Sequence, residues 1–150
     1  MQELKASLYQ LCSKFIEERI QTAEIALQQA REASNDDTKS SAGDKYETSR
    51  EMMQQDIDRN KRLLIDAEEN EKLLSSIKDL PYSETARNGS LVITDNGSFY
   101  LSISAGQLHL GKDTFFAISA VSPIGKLLLG KKKADKFDFN GRKYLIKDVA

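Results

Sequence analysis

Ser34-Asn35-Asp36-Asp37-Thr38-Lys39-Ser40-Ser41-Ala42-Gly43-Asp44-Lys45-Tyr46-Glu47 is the stretch on which the fold turns. It holds Gly43, the only glycine in the first 88 residues, and the first proline is Pro81. The segments on either side therefore carry no helix breaker. The small residues Ser40, Ser41, Ala42 and Gly43 suit a turn, and Asp44 with Glu47 three residues on has the form of a capping box. Two long helical segments meeting at one short polar break predict an antiparallel helical hairpin. Its far end, residues 34–47, is a polar, acidic tip carrying Asp36, Asp37 and Asp44.

Outward from the tip, residues 3–33 read as the first helix. Leu4, Leu8, Leu11 and Phe15 repeat at helical spacing, and Ile16, Ile20, Ala23, Leu27 and Ala30 repeat again one residue out of phase. Such a helix is roughly 45 Å long at about 1.5 Å per residue. Residues 44–79 read as the second. Tyr46, Met53, Ile57, Leu64, Ala67, Leu74 and Ile77 supply the facing seam, interrupted by Asn60 and Glu71, and Pro81 stops it.

Composition changes near residue 80. Residues 81–150 hold seven of the eight glycines, both prolines and five of the six phenylalanines. Residues 1–80 carry 12 basic and 17 acidic side chains, residues 81–150 carry 10 and 6, so a total of −1 hides an acidic arm and a basic body. The expected domains are thus 1–80, a coiled-coil hairpin, and 81–150, a β-rich module. In the second, 91–94 and 98–104 flank the turn Asp95-Asn96-Gly97, 107–110 and 114–120 follow, and Asn140-Gly141 turns the strand at Phe137 and Phe139 into 143–149. Between them Ser122 is an N-cap, Pro123 fits the first helical position and Gly130 the C-terminal stop of one short helix. The fold class is α+β: a helical hairpin followed by a small antiparallel sheet with one short helix.

Residues 122–131, Ser-Pro-Ile-Gly-Lys-Leu-Leu-Leu-Gly-Lys, followed by Ala134-Asp135 and a closing hairpin, resemble the C-terminal domain of Gre-type transcription elongation factors. The order of modules is similar too: an antiparallel coiled coil with an acidic tip, then a domain like the FK506-binding proteins (FKBP-like). The resemblance implies a regulator that binds bacterial RNA polymerase at its secondary channel and is not itself an enzyme. It implies that Ser122, Pro123, Ile124, Gly125, Lys126, Leu127, Gly130 and Lys131 help form the docking body. It implies that the tip acids Asp36, Asp37 and Asp44 act in trans beside the polymerase's Mg²⁺ to promote cleavage of backtracked RNA. The chain would then need no cofactor of its own, sharing the polymerase's Mg²⁺. Gly43-Asp44-Lys45-Tyr46 aligns with the family's tip segment, and in that register the family's two acid positions fall on Lys39 and Ala42. That departure points to a second reading, a channel modulator or inhibitor without cleavage activity. A third is a coiled-coil adaptor unrelated to polymerase, and in water the same three acids serve simply as turn and capping residues.

Other chemistry finds little support. Cys12, the single cysteine, lies near the helix-one seam and reads as a buried structural thiol. His109, the single histidine, sits on a strand between two leucines and reads as solvent-facing. Neither makes a nucleophilic or zinc site, and no glycine motif cradles phosphate. Lys131-Lys132-Lys133 either solvates a turn or faces an acidic partner. No run is long enough to span a membrane and no signal peptide is visible, so a cytoplasmic monomer without sequence-specific DNA binding is expected.

Overall fold

The computed structural model describes residues 1–40 and 44–150 and, of residues 36–40 and 44–46, the helical backbone only. The first helix, α1, runs Gln2–Ser40 and the second, α2, runs Asp44–Ser76. α1 thus extends past the expected break at residue 34, because Ser, Asn and Asp only weakly oppose helix extension where no glycine or proline intervenes. α2 ends earlier than expected. Ile77 and Lys78 donate to the Leu74 and Ser75 carbonyls in a tightened last turn, and Asp79 then takes a left-handed φ of 56°.

The chain forms two compact units, Ile16–Glu71 and Met1–Phe15 with Lys72–Ala150. The start of α1 shares a unit with the end of α2, the order that a helical hairpin requires. In the first unit the two helices pack through Ile16, Ala23 and Leu27 on one side and Ile57 and Ala67 on the other, all buried. Asn60, which interrupts the apolar seam, is half-buried, and its amide donates to the Asp56 carbonyl at 2.9 Å. The expected interruption at Glu71 falls on Asn70 instead, and Glu71 is exposed. The surface ion pair Arg59–Asp56, 2.7 Å, and the Gln28–Glu32 and Gln54–Asp58 side-chain bonds are exposed and add little.

In the second unit the foot of α1 buries Leu8 and Cys12. Leu8, Cys12, Ile16, Ala23 and Leu27 therefore form one continuous stripe, so the slip between Phe15 and Ile16 is taken up by Cys12. Leu11 and Phe15 are only half-buried beside it. The Cys12 thiol lies 3.7 Å from the Ser102 hydroxyl.

Six strands follow: β1 (Leu91–Thr94), β2 (Gly97–Leu101), β3 (Gly106–Leu110), β4 (Asp113–Ile118), β5 (Lys136–Phe139) and β6 (Arg142–Val149), with α3 (Pro123–Leu128) between β4 and β5. They lie in the order β3-β4-β2-β1-β6-β5. The expected all-antiparallel sheet is corrected here. β2 and β4 pair parallel, Phe99 opposite Phe116 and Leu101 opposite Ile118. The short link after β2 carries β3 to the sheet edge, and the β3–β4 turn then brings β4 back beside β2 in the same direction. β2 also stops at Leu101 rather than at 104, where Ser102 turns its N–H to the Ile118 carbonyl at 2.8 Å.

The turn chemistry holds. Asn140 and Gly141 take φ of 49° and 77°, both positive as a two-residue type I′ hairpin demands. At the other turn Asp95 accepts from Leu145 N–H at 2.8 Å and the Asn96 amide donates to the Lys143 carbonyl at 2.6 Å, which ties the β1–β2 loop to β6. The core of this sheet is Val92, Phe99, Leu101, Leu128, Phe137, Tyr144, Ile146 and Val149, with Ala86. Phe137 and Tyr144 stack at 4.8 Å, and Phe99 meets Tyr144 edge-on at 6.2 Å.

Candidate partner-docking face

Among the described residues, the segment from Val121 to Lys133 carries the largest share of the sequence-derived site. Its shape follows from local rules. Ser122 has extended backbone, φ −68° and ψ 158°, and its Oγ accepts from Gly125 N–H at 3.1 Å while donating to the Ser119 carbonyl at 2.6 Å. Pro123 occupies the first helical turn, where its missing N–H is harmless. Leu129 N–H closes the helix on the Gly125 carbonyl at 3.1 Å, and Gly130 leaves it with φ 81°. Gly130 N–H then donates to the Ala86 carbonyl, and Ala86 N–H to the Lys131 carbonyl, both at 2.8 Å. The helix is thus anchored at both ends.

This anchoring sorts the residues by face. Leu128 is wholly buried in the sheet core and Ile124 packs half-buried against it. Gly125 is buried as well, and a Cβ placed there would fall on the Ser119 carbonyl oxygen, with Ser122 Oγ at 2.8 Å and Ala120 Cα at 3.0 Å. Only glycine fits that approach. Gly125 and Ile124 therefore shape α3 from inside. Ser122 and Lys131 are half-buried, whereas Pro123, Lys126, Leu127 and Gly130 are exposed.

Reading from sequence named Leu127 but missed Val121 and Leu129, the apolar neighbours that complete the outward face. Val121 is 76% exposed, Leu129 41% and Leu127 38%. Three exposed apolar side chains within nine residues, interleaved with Lys126 and followed by Lys132 and Lys133, make a mixed apolar and cationic surface. The triple-leucine run concealed this, because one strand-like or helical repeat cannot tell which leucine faces in. Alongside, Tyr82, Glu84, Lys132, Lys133, Asp148 and Val149 line a shallow groove of about 260 Å³. Asp135 Oδ2 accepts from Lys132 N–H at 2.8 Å and holds the lysine turn in place.

The expected tip acids Asp36, Asp37 and Asp44 and the expected capping box at Asp44 lie outside the residues whose side chains are described, and the expected turn at 41–43 lies outside the described residues. The backbone places Asp36 and Asp37 in the last turns of α1 and Asp44 at the first residue of α2. Among the described residues no cluster of His, Cys, Asp and Glu is arranged to hold a metal ion. His109 is exposed, with Nδ1 3.3 Å from the Thr114 hydroxyl. Cys12 is buried, and burial raises its thiol pKa while the Ser102 bond partly offsets that rise. Such a thiol is a poor nucleophile. No helix among the described residues is long and apolar enough to cross a membrane. No known protein-family model matches the chain, and no curated protein matches it.

Proposed function

We propose that this chain is a Gre-like regulator of bacterial RNA polymerase, acting on the polymerase's own chemistry rather than as an enzyme. The observation that supports it is the 122–131 motif. It carries the family-like Ser-Pro-Ile-Gly-Lys pattern, and its helix turns Lys126 and Leu127 outward beside Val121 and Leu129. An apolar centre ringed by lysines suits a partner surface that is apolar with an acidic rim. In this reading the sheet module is FKBP-like and docks at the rim of the secondary channel, and the two helices form an antiparallel coiled coil that enters it. Asp36, Asp37 and Asp44 would reach the active-site Mg²⁺, for which carboxylate oxygens are natural ligands. Two-metal phosphoryl transfer needs such oxygens, and the polymerase supplies the rest of the reaction. The protein acts as a cytoplasmic monomer, with no cofactor of its own and no base-specific contacts.

The register that puts Lys39 and Ala42 at the family's acid positions favours a second reading, a channel binder that slows transcription without promoting cleavage. The exposed Ile25, Met52, Leu63 and Ile65 on the helices favour a third, an adaptor whose helices bind another protein. One experiment separates the three. Purified chain is added to stalled, backtracked polymerase, with the triple variant Asp36→Asn, Asp37→Asn, Asp44→Asn in parallel, since Asn keeps the size and capping ability of Asp while removing its charge. The expected result is polymerase binding by both proteins and RNA cleavage stimulated by the wild type alone. Binding with slowed elongation and no cleavage supports the second reading, and no binding supports the third. Stimulation that survives in the triple variant removes these acids from the mechanism.

A further inference from the structure

A pocket of about 140 Å³ lies at the foot of α1, lined by Gln2, Lys5, Tyr9, Gln10, Asp79 and Tyr100 among others. Two of these side chains are deeply buried: Lys5 is 9% exposed and Tyr100 2%. Among the described residues neither the Lys5 ammonium nor the Tyr100 hydroxyl has a hydrogen-bond or ion-pair partner. Buried polar groups in folded proteins are nearly always paired, and a buried ammonium without a counter-charge is among the least tolerated. Burial lowers the Lys5 pKa, and the nearby positive charge of Arg87 lowers it further. The Arg87 guanidinium itself is engaged by the Pro81 carbonyl at 2.7 Å. The rest of the lining is also rich in donors: the Tyr9 hydroxyl and the Gln2 and Gln10 amides, against the single carboxylate of Asp79.

We propose that this pocket binds a small oxyanion, a phosphate or carboxylate group, held by the Lys5 ammonium and the Tyr100 hydroxyl. An oxyanion offers several acceptor lone pairs to these donors and gives Lys5 the counter-charge it lacks. The volume of about 140 Å³ suits one such group. This inference does not rest on the polymerase reading, and its test uses no polymerase.

The test titrates the full chain at pH 7 with inorganic phosphate and, separately, with acetate, against sodium chloride at matched ionic strength. Calorimetry and thermal unfolding are the readouts. A saturable heat and a rise in Tm beyond that in chloride are expected. A response to phosphate alone assigns phosphoryl ligands, and a response to acetate alone assigns carboxylates. Lys5→Met and Tyr100→Phe should each weaken binding by about 10- to 100-fold, the worth of one charge-assisted bond. The exposed control Lys14→Met should bind as wild type. Without anion, Lys5→Met should melt no lower than wild type, because it removes an unpaired buried charge. Should Lys5→Met not fold, Tyr100→Phe alone decides. The proposal is overturned if neither anion exceeds chloride, or if the folded pocket variants bind as tightly as wild type.

Discussion

Gly125→Ala gives the most discriminating test of the fold around α3, because two physical effects predict opposite signs. Within a helix, alanine is favoured over glycine by about 1 kcal/mol. Gly125 lies in the helix interior and is not among the positive-φ glycines, so propensity alone predicts stabilisation. The structure predicts the reverse. The new methyl would land on the Ser119 carbonyl oxygen, a backbone atom already holding the Ser122 hydroxyl at 2.6 Å, and would press on Ser122 Oγ and Ala120 Cα. Backbone cannot swing aside as a side chain can, so the overpacking cost belongs at the upper part of the usual range, about 2–3 kcal/mol. Subtracting the propensity gain leaves a net loss of about 1–2 kcal/mol, or roughly 2–8 °C in Tm for a chain of this size. Near-UV circular dichroism is the suitable probe. The chain has no tryptophan, and all six of its phenylalanines and four of its five tyrosines belong to the sheet-bearing unit, so the signal reports that unit. An unchanged or raised midpoint for Gly125→Ala would refute the close approach and with it the placement of α3.

Two further outcomes follow from the same geometry. If the proposed polymerase reading holds, Leu127→Asp with Leu129→Asp, at positions 38% and 41% exposed, should cost about 1–3 kcal/mol in stability while polymerase binding weakens roughly tenfold or more; a folded double variant that binds fully removes α3 from the interface. Ile124 is a poorer probe, since it packs on the core. The second outcome concerns alkaline pH. Burial holds the folded thiol of Cys12 above its unfolded pKa of about 8.5, so its contribution is complete below that pH and is lost as pH rises through the folded value. Tyr100 and Tyr9, also raised by burial, act in the same direction nearer pH ~10, whereas the lowered Lys5 acts oppositely. Comparing wild type with Cys12→Ala largely cancels those shared contributions. The wild type's lead in Tm should narrow between pH 7 and pH 10, and a constant lead would show that the thiol is not buried.

Much of this protein was legible in its local chemistry. The absence of glycine and proline from long stretches dictates two long helices, since nothing there opposes intrahelical bonding. Asn140-Gly141 dictates a type I′ hairpin because both positions need positive φ. Ser122-Pro123 dictates a helix start, because a hydroxyl and a missing N–H suit the unpaired donors of a first turn. These are interactions between residues a few positions apart, so the order of the side chains contains them. The acidic tip was legible as composition, but the positions of Asp36, Asp37 and Asp44 relative to one another depend on backbone geometry that composition does not carry.

Tertiary structure alone decided the remainder. Hairpin signals pair neighbours in sequence, so nothing local announces that β4 returns parallel to β2; that pairing depends on where the β2–β3 link can cross. Three consecutive leucines do not reveal that Leu128 faces in while Leu127 and Leu129 face out, because burial depends on which side of α3 meets the sheet. Gly125 read as part of a motif, and its physical reason is a carbonyl six residues earlier brought against it by the fold. Nothing in the local pattern marks Lys5 apart from the other lysines of the acidic arm. Its burial beside Tyr100, 95 residues away, arises only when the foot of α1 packs within the sheet-bearing unit, and desolvation is a property of surroundings that no local pattern encodes.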